Sequence, residues 1–437
     1  MTSSLSNHTP RRVVITGMGA ATSVGVEIEQ IWNAIVEGQS GVSQIKQFDS
    51  NSFPVKIGSE VDLEKLELEN TADISRYLSR SAHFGIWALD KAWKDARLGS
   101  DDFQPWRAGV CIGASTFPVM EDNLGDLHEI EDASKILDGE FYNTDYYLEW
   151  CRRRPELLSQ RDMPSISTLL SFRHGLGGVS MTVQTACASA TQAIGESFQM
   201  IRNNQADLMV SGGTDSMVSI ICVTGFTLLG ALSPYQGDPK KASRPFDLKR
   251  DGFVIGEGSG IIILEELEHA LRRGAPIYAE VIGYGSSCDG YRFTDVHPDG
   301  RGAIACMSAA LQDAGITPED VDYVNAHGTS TVQNDRVETH AVKQVFGEHA
   351  YRLAISSSKS QIGHLICAAG GIEMILTAMA VHTGTLSPTI NMEQADPECD
   401  LDYVANESRQ ADVRVALSNS FGFGGQNGTL VVRRWEA

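Results

Sequence analysis

The sequence predicts an α/β fold in which one unit is used twice, and three observations carry that reading. Short β-branched runs, apolar on both sides, alternate with stretches of helical periodicity, the pattern of sheets covered by helices. Two segments share one design, a strand, a turn of small residues and an apolar-periodic helix: residues 183–202, VQTACASATQAIGESFQMIR, and residues 353–379, LAISSSKSQIGHLICAAGGIEMILTAM. The chain has 437 residues, long for a single hydrophobic core.

The first strand is read at residues 12–16, ending at Gly17 and Gly19. Similar runs recur at 108–112, 208–211, 260–264, 277–282 and 429–432, with helical stretches between them such as 81–96 and 303–314. A join within residues 265–276 divides the chain into an N-terminal half, 1–270, and a C-terminal half, 271–437. Between 117 and 164 the periodicity weakens while charge and aromatics rise, which reads as an inserted, partly helical excursion.

Composition narrows the function. Hydrophobic residues make up 42% and charged residues 21%, enough apolar material for a sizeable core. A net charge of −21 repels nucleic acid and anionic membranes, so neither is expected as a partner. No apolar run is read as approaching the roughly 18 residues of a spanning helix, and residues 1–12 are polar, without the apolar stretch of a signal peptide. The eight cysteines are scattered singly without a CxxC pair, which argues against a disulfide framework or a zinc site and fits a reducing cytoplasm.

Four segments carry chemistry. Cys187 lies in TACASA, where a strand leads in and a helix leads out; a thiol at a helix N-terminus is expected to have a lowered pKa. An arbitrary cysteine is more often plain core, but the strand, tight turn and helix around this one reverse that balance. His327 lies in NAHGTST, between an apolar run and a hydroxyl-rich turn, and Glu338 follows on a polar helix start, where by itself it reads as a solvated charge. His364 lies in KSQIGH, before the second-half helix, and is read as the echo of Cys187. For either histidine alone, an ordinary satisfied residue is as good a reading as a functional one. If the halves pack about a pseudo-twofold axis, the turns meet, and one cysteine with two histidines suffices for acyl capture and charge handling. Near the C-terminus, Gly422, Gly424 and Gly425 around Phe423 permit close backbone approach and exposed N–H groups.

TACASA, NAHGTST, KSQIGH and NSFGFGG, in this order and spacing, resemble the elongating (type II) β-ketoacyl-acyl-carrier-protein synthases of the thiolase superfamily. The likeness runs from VVITGMG at residues 13–19 to the final strand and includes SRPFD, RDGF and GEG between residues 243 and 258. The resemblance implies a duplicated, thiolase-like, five-layered α/β/α/β/α fold. It implies a decarboxylative Claisen condensation between an acyl group on Cys187 and malonyl on an acyl carrier protein, in fatty-acid or polyketide biosynthesis. His327 and His364 would stabilise the enolate. Lys359 would set the site's electrostatics in an ion pair with Glu338, and Thr329 and Thr331 would bond the phosphopantetheine arm. Phe423 would gate the acyl pocket, its N–H and that of Cys187 forming the oxyanion hole. No metal or redox cofactor is implied; the partner is an acyl carrier protein, and the assembly is a homodimer or a heterodimer with a related subunit.

Two departures stand out. The 117–164 excursion is longer than usual, and Gly230 precedes Ala231-Leu232-Ser233 where a basic docking residue is common. An acidic enzyme must nevertheless attract an acidic carrier through a local basic patch. Arg76 and Arg80, four apart, are the first candidates, and Lys240, Lys241 and Arg244 the second. A degradative thiolase would carry a second catalytic cysteine where Gly422–Gly425 stands, and a cysteine hydrolase leaves the second histidine and the threonines unexplained. A chain-length-factor-like subunit, the non-catalytic alternative, would typically lack the cysteine.

Overall fold

The computed structural model describes residues 10–68, 78–115 and 163–436. Ten strands form one sheet: β1 Val13–Ala21, β2 Ala108–Ala114, β3 Ser180–Val183, β4 Leu208–Ser216, β5 Glu257–Glu266, β6 Ala279–Cys288, β7 Tyr323–Asn325, β8 Ala354–Ser356, β9 Val415–Gly422 and β10 Gln426–Arg434. Their spatial order is β8-β7-β9-β10-β6-β1-β5-β4-β2-β3. Read outward from the β1–β6 seam, the order is β1-β5-β4-β2-β3 on one side and β6-β10-β9-β7-β8 on the other. On each side the first two pairings are antiparallel and the last two parallel. Matching pairings in matching chain order are the signature of a duplicated unit. The seam, β1 against β6, is itself antiparallel.

Five helices build the layers: α1 Arg80–Asp95, α2 Ser189–Arg202, α3 Arg301–Ala314, α4 Val332–Phe346 and α5 Ala369–Thr383. The middle layer consists of α2 and α5. Ala193, Ile194, Phe198 and Ile201 of α2 and Ile372, Ile375 and Leu376 of α5 share a core with Ile15, Ile262, Val281 and Leu430 from both sides of the seam. Each of the larger of these side chains contributes about 1.5–3 kcal/mol by leaving water. Backbones approach closely here: a Cβ on Gly213 would lie 2.6 Å from the Cys367 carbonyl, so only glycine fits. The outer faces are covered by α1 on the first half and by α3 and α4 on the second, which completes the α/β/α/β/α stack.

One expectation needs correction. Residues Ile366–Thr383 form a helical stretch long and apolar enough to cross a membrane by composition, contrary to the reading of the sequence. It is 83% buried inside the protein, because α5 touches sheet on both sides and has no polar face to present. The 117–164 excursion falls almost wholly outside the described residues.

Candidate active site

The nucleophile sits on a tight elbow. After β3 the chain enters a single 3₁₀ turn, Ala186–Ala188, with Ala186 at φ 49°, and α2 follows at once. Ser189 ties the elbow: its Oγ accepts from Thr185 N (2.8 Å) and donates to the Ala186 carbonyl (2.6 Å). Cys187 is 3% exposed, on the floor of a cavity of about 320 Å³ whose wall includes His327, His364, Thr329, Thr331 and Phe423.

His364 Nε2 lies 3.1 Å from Cys187 Sγ, and Ile366 N–H donates to His364 Nδ1 (3.2 Å). An Nδ1 that accepts leaves the ring hydrogen of a neutral imidazole on Nε2, so Nε2–H points at the sulfur. The His327 ring stands nearly perpendicular to that of His364, centroids 5.3 Å apart. One sulfur and two ring nitrogens thus lie within 4.8 Å of one another. Among the described residues this is the one group of donors close enough to hold a metal ion, yet the Lys359 charge acts on all three and opposes a second cation.

Burial dominates the electrostatics. It pushes the Cys187 thiol up to about 11, against the pull of Lys359 and of the Phe423 and Cys187 N–H groups. The helix-terminus expectation of a lowered pKa is thereby reversed, since desolvating a thiolate outweighs those contributions. Burial first, then Lys359, holds both histidines well below their ordinary value, with His364 adding to the effect on His327. Both rings are neutral, each with an N–H to donate.

Lys359 does not pair with Glu338 as expected. Its ammonium bonds Glu373 of α5, and both are about 2% exposed. Glu338 instead accepts the backbone N–H groups of His327 and Gly328, each at 2.8 Å, and burial lifts it to about 7. The carboxylate therefore shapes the His327 loop, and the lysine answers to the opposite helix. Glu373 escaped the sequence reading although its signal was present, a lone acid in the otherwise apolar AGGIEMILTAM.

The echo of Cys187 is likewise not His364. The second half has its own 3₁₀ turn, Ile366–Ala368, with Ile366 at φ 46°, and the residue matching Cys187 is Cys367. His364 precedes that turn, and this offset lets its ring reach across to the first elbow.

Thr329 and Thr331 bond each other (2.9 Å) on the cavity wall, and Gly422 passes over the elbow so that a Cβ there would lie 3.0 Å from Cys187 N. Phe423 stacks on Phe226 at 6.0 Å, with its own N–H directed at Cys187 sulfur. Arg80 is engaged within the fold: its guanidinium grips the buried carboxylate of Glu257 and bonds the Val61 carbonyl, while Arg76 lies outside the described residues. In the second candidate group Arg244 covers the Tyr235 ring and its N–H bonds Ser330 Oγ, beside the cavity wall, and Lys241 pairs with Glu393 at the surface.

Comparison with known proteins agrees with this geometry. Residues 10–270 match the family model described as beta-ketoacyl synthase, N-terminal domain, and residues 278–393 match that for the C-terminal domain. A 3-oxoacyl-[acyl-carrier-protein] synthase 2 of Synechocystis sp. is 42% identical, covering 99% of this chain and all of the relative. One from Coxiella burnetii is 41% identical over 97% of this chain and 99% of its own length. Among solved structures, the ketosynthase complex with its type II PKS acyl-carrier protein, bound to a hexaketide, superimposes with a TM-score of 0.84 at 34% identity, covering 98% of this chain and 100% of that one. A beta-ketoacyl synthase from Burkholderia phymatum gives 0.84 at 32%, with the same coverage. With both halves of the family model matched in order around one cysteine and two histidines, the chain belongs to the β-ketoacyl synthase family.

Proposed function

We propose that this protein extends an acyl chain by decarboxylative condensation, with Cys187 as acyl carrier and His327 and His364 as neutral donors. The supporting observation is the Cys187–His327–His364 cluster, within 4.8 Å, at the floor of a cavity. Cys187 sulfur attacks the thioester carbonyl of an acyl carrier protein; the pantetheine sulfur leaves and takes the thiol proton. A malonyl thioester then enters, its C–C bond to the carboxylate breaks, and CO₂ departs. The enolate oxygen receives N–H donation from the histidines, and the enolate carbon attacks the acyl-cysteine carbonyl. The C–S bond breaks, the negative charge ends on Cys187 sulfur, and a proton restores the thiol. Thr329 and Thr331 bond the pantetheine arm, and no metal or redox cofactor enters any step.

The intact cluster favours a catalyst over a chain-length-factor-like subunit. Cys187→Ala, a small volume change, should fold normally and lose both acyl uptake and product. Intact mass after incubation with acyl carrier protein decides this: a stable acyl adduct on the variant would remove Cys187 from the mechanism.

The assembly is read as a homodimer through β3. Among the described residues this edge strand pairs with β2, and Val179, Met181, Phe172 and Trp106 form an exposed apolar group beside it, Phe172 being 85% exposed. The matching edge, β8, is instead covered by the chain near Asp402, whose carbonyl accepts from Ile355 N. None of the seven described cysteines is in a disulfide, and a reducing compartment is the setting this reading assumes.

A further inference from the structure

The duplicated fold carries a second nucleophile elbow, and what fills it bears on His364. Cys187 and Cys367 hold matching places, each following a residue with φ near +50°. Ser420 pairs with Gly428, which packs on Thr191 of α2; Gly213 pairs with Gly260, which packs on Gly371 of α5. Two residues beyond Ser420 comes Gly422, and two beyond Gly213 comes Asp215. Gly422 leaves the N–H of Cys187 open to the cavity. Asp215, 2% exposed, closes the equivalent space: its Oδ2 accepts from Cys367 N (2.9 Å), and its Oδ1 accepts from Ser115 Oγ (2.6 Å) and Ser216 N (2.9 Å).

Ile366, the residue before Cys367, is β-branched and sits in the left-handed region, which such residues avoid. Its N–H is the group bonded to His364 Nδ1. The next N–H, that of Cys367 just before α5, donates to the Asp215 carboxylate, and this charge-assisted bond ties the turn to β4. The backbone of His364 is pinned separately, its N–H to the Val254 carbonyl (2.8 Å) and its carbonyl to Gly256 N–H (2.9 Å). Losing Asp215 would therefore free Nδ1 without displacing the residue.

We propose that Asp215 is a positioning residue: by holding the Ile366–Cys367 turn it keeps Ile366 N–H on Nδ1 and fixes His364 as the tautomer whose Nε2–H faces Cys187. The catalytic consequence rests on the reading of His364 as an enolate donor. Asp215→Asn keeps the size but cannot accept from all three donors, and Asp215→Ser is read in parallel. Three quantities are measured: acyl uptake by intact mass, decarboxylation of a malonyl thioester, and the His364 tautomer from ¹⁵N spectra of histidine-labelled protein, assigned against His364→Ala. Expected are acyl uptake within about twofold, decarboxylation slower by about 10-fold or more, and a mixed tautomer. In a His364→Ala background, Asp215→Asn should slow decarboxylation no further. An unchanged tautomer in the folded Asn or Ser variant, or additive slowing in the double variant, overturns the proposal and leaves the site reading standing. Normal decarboxylation by His364→Ala alone overturns the site reading instead, while the tautomer spectrum still decides the Asp215 contact.

Discussion

At Cys187 the environment works in two directions, and their balance sets how the thiol behaves before substrate arrives. Burial raises its pKa to about 11, while Lys359 and two backbone N–H groups lower it. At pH 8 the thiolate fraction is then about a thousandth. Iodoacetamide should label Cys187 slowly, and the rate should rise with pH, without levelling off before about 11, since a group with a raised pKa gains its anion only as pH approaches that value. A plateau near pH 7 would show a thiolate already formed and defeat this account. The histidines obey the same physics with the opposite sign: burial favours the uncharged ring, which is the form that donates without repelling Lys359. Cys187, His327 and His364 were legible as residues because each stands in a motif. Their protonation states were not, because desolvation depends on what the rest of the chain packs around them.

At the scale of elements, the working parts are turns at strand ends, each held by a different neighbour. The GFGG turn after β9 crosses the elbow before α2, and it can do so because Gly422 has no side chain. Gly422→Ala would set a Cβ 3.0 Å from Cys187 N, over one of the two N–H groups we propose as the oxyanion hole. Losing one such donor costs on the order of 100-fold in turnover. Thermal unfolding of the variant should stay close to wild type, and acylation timed by intact mass should slow; a normal acylation rate would exclude Cys187 N–H as a donor. The strand–turn–helix design was readable because period-2 and period-3.6 patterns meet at a run of small residues. The register of the second copy was not. Its turn carries Lys359, His364 and Cys367 within nine residues, and spacing alone does not say which of them matches Cys187.

For the whole molecule, the two open questions are what covers the β3 edge and where an acidic carrier meets a protein of net charge −21. Phe172→Asp with Met181→Asp puts charge on both sides of that edge and should convert a dimer to monomer in sedimentation. An unchanged sedimentation coefficient would place the subunit contact elsewhere. With Arg80 bound to Glu257, the second candidate group for docking is Lys240, Lys241 and Arg244, whose Arg244 N–H bonds Ser330 Oγ between the cavity residues Thr329 and Thr331. Lys240→Glu with Arg244→Glu should raise KM for the carrier-bound substrate and flatten its salt dependence, leaving a free pantetheine thioester nearly unaffected. Equal KM values for the two proteins with the carrier would remove this patch from docking.

The sequence by itself determined the α/β class, the use of one unit twice, and the residue types that meet at the candidate site. Each of these is written locally, in periodicity, in small-residue turns and in short motifs. Only the tertiary structure decided the partners: Lys359 with Glu373 rather than Glu338, Arg80 with Glu257, and Cys367 rather than His364 opposite Cys187. A buried charge takes whichever opposite charge the fold brings within reach. That proximity is set by how the two halves of the sheet close around two central helices, which no local pattern records.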